Sequence, residues 1–198
     1  MKILKSLVIV FAMVALVAGA TSAYLSDSIQ VAGNSFAAGS LVLNVDGSHT
    51  AAAKFNVANM VPGNQPSGNW TIANVGSING YLDIENVVVT NNENTRNAAE
   101  IAAGDTTDAV GELGDVVNIS LYVDVDKDGW WSAGDISIYN GLVSAMPSHF
   151  ELDRLVAAGT DTKIQARLDW WSTPNDNLAQ TDSMTIDLTF ELAQTTGQ

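Results

Sequence analysis

Asp124, Asp126, Asp128 and Asp135 stand at positions 1, 3, 5 and 12 of the stretch Asp124-Val125-Asp126-Lys127-Asp128-Gly129-Trp130-Trp131-Ser132-Ala133-Gly134-Asp135, with glycine at position 6. This spacing lets a chain fold back on one calcium ion, a hard cation that takes oxygen ligands. In that reading Asp124, Asp126 and Asp128 supply side chains, Trp130 its backbone carbonyl, Ser132 a hydroxyl or a water-mediated contact, and Asp135 the closing carboxylate. Gly129 permits the sharp bend. Position 12 is Asp rather than the longer Glu, and a strand rather than a helix leads in, so the pattern is a calcium loop in a β setting and not an EF-hand. The competing reading is a plain acidic turn at Asp128-Gly129 between two strands. Three aspartates in five residues repel one another, and a bound cation removes that cost.

Other chemistry is sparse. The two histidines, His49 and His149, are far apart and neither belongs to an H-E-x-x-H helix, so the donor set of a hydrolytic zinc site is missing. There is no cysteine nucleophile, no G-x-S-x-G elbow and no phosphate-cradling loop, and the chain reads as a non-enzyme. Asp161, Asp169, Asp176 and Asp182 match no ligand spacing and read as solvated turns on an acidic surface. Adjacent strand residues face opposite sides, so one member of each pair, Trp130-Trp131 and Trp170-Trp171, is expected in the core. Asn69-Trp70-Thr71 and Asn118-Ile119-Ser120 fit the glycosylation pattern but fall in or beside expected strands.

The elements that must position the acidic loop are strands. Leu41, Leu43 and Val45 alternate with Val42, Asn44 and Asp46, a period of two, before a turn at Asp46-Gly47-Ser48. Pro62 to Gly68 carries two prolines and two glycines and reads as a loop. Trp70 to Asn74 and Tyr81 to Thr90 follow as strands, with Leu82 and Ile84 inward, Asp83 and Glu85 outward, and a bulge expected near Asn86. Asn91 to Asp115 is polar and reads as a surface excursion, with a helical turn or two at Ala98 to Ala103. The clearest strands are Asn118 to Asp126, Lys163 to Trp171 and Met184 to Leu192, where apolar and polar residues alternate strictly. Roughly nine strands with turn signals between them predict an all-β fold, an antiparallel sandwich or jelly roll.

Ahead of all this lies an export signal. Lys2 and Lys5 precede the apolar run Leu7 to Ala18, and small residues end at Ala23, the order of a secretory signal peptide cut between Ala23 and Tyr24. The apolar run falls short of the roughly 20 residues that span a bilayer, so membrane contact is expected only through the signal peptide before cleavage. Cleavage removes two of the eight basic residues and no acidic one, moving the net charge from −14 to −16. So acidic a chain is not expected to bind nucleic acid or anionic lipid, and suits divalent cations or a salty exterior. Without cysteine, an exported chain draws stability from its core, from metal or from neighbouring subunits. The organisation expected is a signal peptide over 1–23 and one domain over 24–198.

Several blocks carry a family resemblance. Thr21-Ser22-Ala23 with Tyr24-Leu25-Ser26-Asp27, then Ser35 to Leu43, resembles the start of the TasA and camelysin family. Asn59-Met60-Val61-Pro62-Gly63, Ile72-Ala73-Asn74-Val75-Gly76-Ser77 and Tyr81-Leu82-Asp83-Ile84 resemble its core, and Gln180-Thr181-Asp182-Ser183 leading into Phe190 to Gln194 resembles its closing strand. The resemblance implies a jelly-roll-like β-sandwich and a subunit of a biofilm matrix fibre or, in archaea, of a bundling pilus. It also brings in the metallopeptidase label attached to camelysin-like proteins.

An open sandwich leaves backbone groups unpaired at its edges, and a strand from a neighbour can complete the sheet. The donor is expected at Tyr24 to Ala32, with Leu25, Ile29 and Val31 as its apolar teeth. Cleavage at Ala23 would free this strand, and head-to-tail donation between copies of the chain propagates as a filament. The competing readings are that the segment pairs within its own domain, that Leu7 to Ala18 is retained as the helical core of a type IV-like pilin, or that the protein is a monomeric surface module. The expected function is therefore a secreted, extracellular filament subunit, with calcium as its cofactor and copies of itself as partners.

Overall fold

The computed structural model describes residues 38–48 and 60–197. The signal segment, its cleavage point and the donor candidate, including Leu25, Ile29 and Val31, lie outside those residues.

Apolar alternation becomes eight described strands, with two short helices between the third and fourth. In chain order they are β1 (Leu43–Val45), β2 (Ser67–Asn74), β3 (Gly80–Asn92), α1 (Ala98–Ala103), α2 (Leu113–Val116), β4 (Asn118–Asp124), β5 (Ile136–Leu142), β6 (Phe150–Val156), β7 (Asp161–Asp169) and β8 (Ser183–Ala193). They form two antiparallel sheets, β1-β2-β7-β4-β5 and β6-β3-β8. The fold is an all-β sandwich, as the strand pattern predicts.

Inward residues from both sheets make one core. Ile72, Leu121, Ile119, Ile164 and Leu168 come from the larger sheet, and Leu82, Ile84 and Val156 from the smaller. Trp70 on β2 meets Phe190 on β8 edge to face, with ring centroids 5.8 Å apart. Strand β8 keeps strict alternation, its even-numbered apolar residues from Met184 to Phe190 half-buried and the residues between them exposed. The register of β3 against β8 shifts between Ile84 and Asn86, where a bulge is expected.

Two sequence expectations change here. Asp83 is buried rather than outward, because its Oδ1 accepts the backbone N–H groups of Leu152 and Asp153 at 2.6 and 2.8 Å where β6 departs from regular pairing. Trp170 enters the core and Trp171 is exposed as expected, but Trp130 and Trp131 are both exposed, at 72% and 56%. The second pair sits in the loop after β4, where strand alternation no longer applies. Trp131 packs edge to face on Tyr122 with centroids 5.2 Å apart.

Strands β5 and β6 each pair with one described neighbour, β4 and β3, so each leaves an edge. Between them lies a cleft of about 670 Å³ whose lining mixes apolar Val123, Ile136, Ile138, Phe150, Leu152 and Leu155 with polar Ser137, His149, Glu151, Asp153 and Arg154. Tyr139 and Phe150 mark the approach of the two edges, with ring centroids 6.0 Å apart.

Candidate metal centre

Strand β4 carries Asp124 to the end of the larger sheet, and the chain then reverses through Lys127 and Gly129, both at positive φ (62° and 87°), before β5 starts at Ile136. Gly129 is the residue type that adopts this backbone without a Cβ penalty. The reversal is held by the loop's own carboxylates. Asp124 Oδ2 accepts the Gly129 N–H at 2.9 Å, Asp126 Oδ1 that of Asp128 at 3.2 Å, and Asp128 Oδ1 that of Trp130 at 2.7 Å. Asp135 closes the loop, its two oxygens accepting from Val125 at 2.8 Å and Ser132 at 2.7 Å. Ser132 Oγ lies 3.3 Å from Asp126 Oδ2.

Asp124, Asp126 and Asp135 converge, each placing a carboxylate oxygen within 4.8 Å of the other two. Asp124 is 1% exposed, and its Oδ1 is buried without a hydrogen-bond partner. A buried charged oxygen without a partner is costly, and a cation between the three carboxylates satisfies it. The donor set is of the all-oxygen kind that calcium takes, and Asp124, Asp126 and Asp135 are the side chains that would hold such an ion. Asp128 points its carboxylate along the loop to the Trp130 N–H, so of the four aspartates in the motif three come together.

One cation of the protein itself already serves this site. Lys163 on β7 places Nζ 3.2 Å from Asp124 Oδ2 and donates to the Lys127 carbonyl at 3.2 Å. Burial pushes the Asp124 carboxyl upward, but Lys163 and the Gly129 N–H more than offset it and hold the group below the ordinary aspartate value. Lys127 pairs with Asp161 at 2.8 Å, tying the loop to the start of β7.

The remaining aspartates separate. Asp169 is buried at the end of β7 and pairs with Arg167 at 3.1 Å, which overturns its reading as a solvated turn residue. Asp176 closes a turn after β7, accepting from the Trp170 indole at 2.9 Å, from Ser172 Oγ at 3.0 Å and from Thr173 N and Oγ1. Asp182 is half-buried among other carboxylates, which overturns its reading as a solvated turn residue. Asn69 and Asn118 lie within β2 and β4.

Fold and loop define an antiparallel β-sandwich protein with an acidic reversal at one end of its larger sheet. The family model described as camelysin metallo-endopeptidase matches residues 2–198, and the chain belongs to that family, the TasA and camelysin family of secreted or surface proteins. Compared one by one with curated proteins, it matches none. No helix among the described residues is long and apolar enough to cross a membrane.

Proposed function

We propose that the protein is a secreted structural subunit of an extracellular filament, assembled from copies of itself by strand donation and braced by calcium in the Asp124–Asp135 loop. The observation that carries this reading is the cleft between the edges of β5 and β6. An extended segment with apolar teeth at alternate positions pairs its backbone with an open edge and buries its side chains in the lining. Tyr24 to Ala32 of a second copy supplies such a segment, with Leu25, Ile29 and Val31 entering beside Ile138, Phe150 and Leu152. The contact is heterologous and repeats head to tail.

The family description raises a peptidase activity, and the donor chemistry favours the structural reading. Each candidate cation group among the described residues is made of carboxylates alone. Hydrolytic zinc sites use histidine or cysteine with an open position, whereas all-oxygen sets suit calcium. His149 is exposed just before β6 and belongs to none of these groups.

Deletion of Tyr24 to Ala32 is the test. Electron microscopy is expected to show fibres from the parent and single particles from the deletion, and fibres of normal form from the deletion would refute strand donation. N-terminal sequencing of the secreted protein separates this reading from a pilin: a start near Tyr24 fits donation, and one near Ser6 or Leu7 fits a retained helix.

A further inference from the structure

Four of the six acids in the polar segment between β3 and β4 turn inward, while Asp108 and Asp115 stay exposed. Glu93 follows the end of β3, Glu100 lies on α1, Asp105 follows that helix, Glu112 precedes α2, and Asp182 immediately precedes β8. Glu100 is 0% and Asp105 7% exposed. Carboxylate oxygens of Glu93, Glu100 and Asp182 lie within 4.8 Å of one another, as do those of Glu93, Asp105 and Glu112, so Glu93 belongs to both triads. Arg96 is the one basic residue in 91–117, and its guanidinium goes to the exposed Asp108 carboxylate at 3.0 Å and to the Asp105 carbonyl at 3.2 Å.

Several of these oxygens are shielded from solvent and meet no N–H or basic donor. Oδ2 of Asp105 and Oε2 of Glu112 are buried without a hydrogen-bond partner, and the buried oxygens of Glu93 and Oδ1 of Asp182 meet no donor other than each other's carboxyl. Their companions are tied down. Asp105 Oδ1 accepts from Thr107 N at 2.9 Å, Asp182 Oδ2 accepts from Glu112 N, and Glu100 takes the Asn97 N–H of its helix cap and the Thr181 hydroxyl. The backbone also approaches closely: a Cβ on Gly111 would lie 2.7 Å from the Asn92 carbonyl oxygen and 2.9 Å from Asp182 Cγ. With one oxygen of Asp105 and one of Asp182 fixed by backbone donors, the other is left for the shared interior.

We infer that these five carboxylates hold a second divalent-cation site, with Glu93 as the shared ligand and calcium as the ion. Calcium binds carboxylates at about 2.3–2.6 Å, so ligands across one ion stand roughly 5 Å apart, the scale of each triad. Magnesium demands a stricter octahedron and keeps its waters, and zinc prefers nitrogen or sulfur, so an irregular, all-carboxylate set selects calcium. The site joins the 91–117 excursion to the start of β8 and uses elements other than those of the Asp124–Asp135 loop.

The test uses the full chain with the loop disabled by Asp126→Asn and Asp135→Asn, read by equilibrium dialysis with calcium and by thermal melting in calcium and in chelator. This parent is expected to bind calcium and to melt roughly 5 °C higher with it. Adding Glu93→Gln is expected to abolish both effects, with an unchanged strand signal in circular dichroism and a higher melt in chelator, because one repelling charge is gone. A parent that binds no calcium and melts identically in both buffers overturns the site without any change at the cluster. A folded Glu93→Gln protein that binds as much calcium as its parent overturns the assignment as well. Since the loop is disabled throughout, failure here is distinguishable from failure of the Asp124–Asp135 site.

Discussion

Lys163 on β7 holds its ammonium 3.2 Å from Oδ2 of Asp124 on β4, whose side chain has no exposed surface. The sheet pairs Asp124 directly with Lys163, so a cation of the protein stands beside the loop whatever else binds there. Replacing Lys163 with Gln leaves Asp124 buried and uncompensated, and is expected to cost on the order of 3 kcal/mol in chelator. Calcium should recover much of that loss, because the ion takes over the charge that the lysine offset. Denaturant melts of both proteins, with and without calcium, check this; an equal penalty in both buffers would mean that no ion reaches Asp124.

Chelation should also act on the unaltered chain. A ligand held at a hundred times its dissociation constant stabilises by about 2.7 kcal/mol, which for a chain of this size corresponds to roughly 5–10 °C. The chelator-induced fall is expected to shrink in Asp135→Asn, which removes the carboxylate bonded to Val125 and Ser132. Scanning calorimetry of both forms measures it.

Ile136 opens the cleft at the start of β5 and is half exposed. Ile136→Lys places a charge where an incoming apolar strand would lie, while the isolated subunit loses little, since exposed substitutions usually fall within about 0.5 kcal/mol. Fibre yield by electron microscopy should drop sharply with the melting temperature nearly unchanged. Undiminished fibres would show that the cleft is not the acceptor.

Asp176 and Trp170 provide an acid-sensitive clasp. Burial raises the Asp176 carboxyl, but donors from Trp170, Thr173 and Ser172 outweigh it and leave it below the ordinary 3.8. A depressed carboxyl contributes in full above its unfolded value and loses that contribution as pH falls through the folded one. Asp176→Asn should therefore cost about 1–2 kcal/mol at pH 7. The gap from the parent should narrow below about pH 4, as stability curves at stepped pH would show.

How much of this was open to a reader of the residues depends on how local each signal is. Ile119, Leu121 and Val123, or the run from Met184 to Phe190, declare strands because side chains two apart share a face, and the bulge near Asn86 follows from an interrupted pattern. The aspartate loop is also local, since its ligand candidates fall within twelve residues. Trp130 and Trp131 mislead because the strand ends at Asp124, before them. Asp83 misleads because its partners, Leu152 and Asp153, arrive from a strand about seventy residues away.

Sequence by itself determined the alternation that makes a β-sandwich, the acidic reversal after β4, the family, and the acidity expected of an extracellular chain. Tertiary structure alone decided that Lys163 faces Asp124, that among the described residues β5 and β6 leave edges around a cleft of mixed polar and apolar lining, and that Glu93 and Asp182 share one interior. The physical reason is range. Backbone periodicity and a short loop are written in neighbouring residues, whereas the meeting of carboxylates 89 positions apart depends on β3 lying antiparallel to β8, which pairs Asn92 with Ser183.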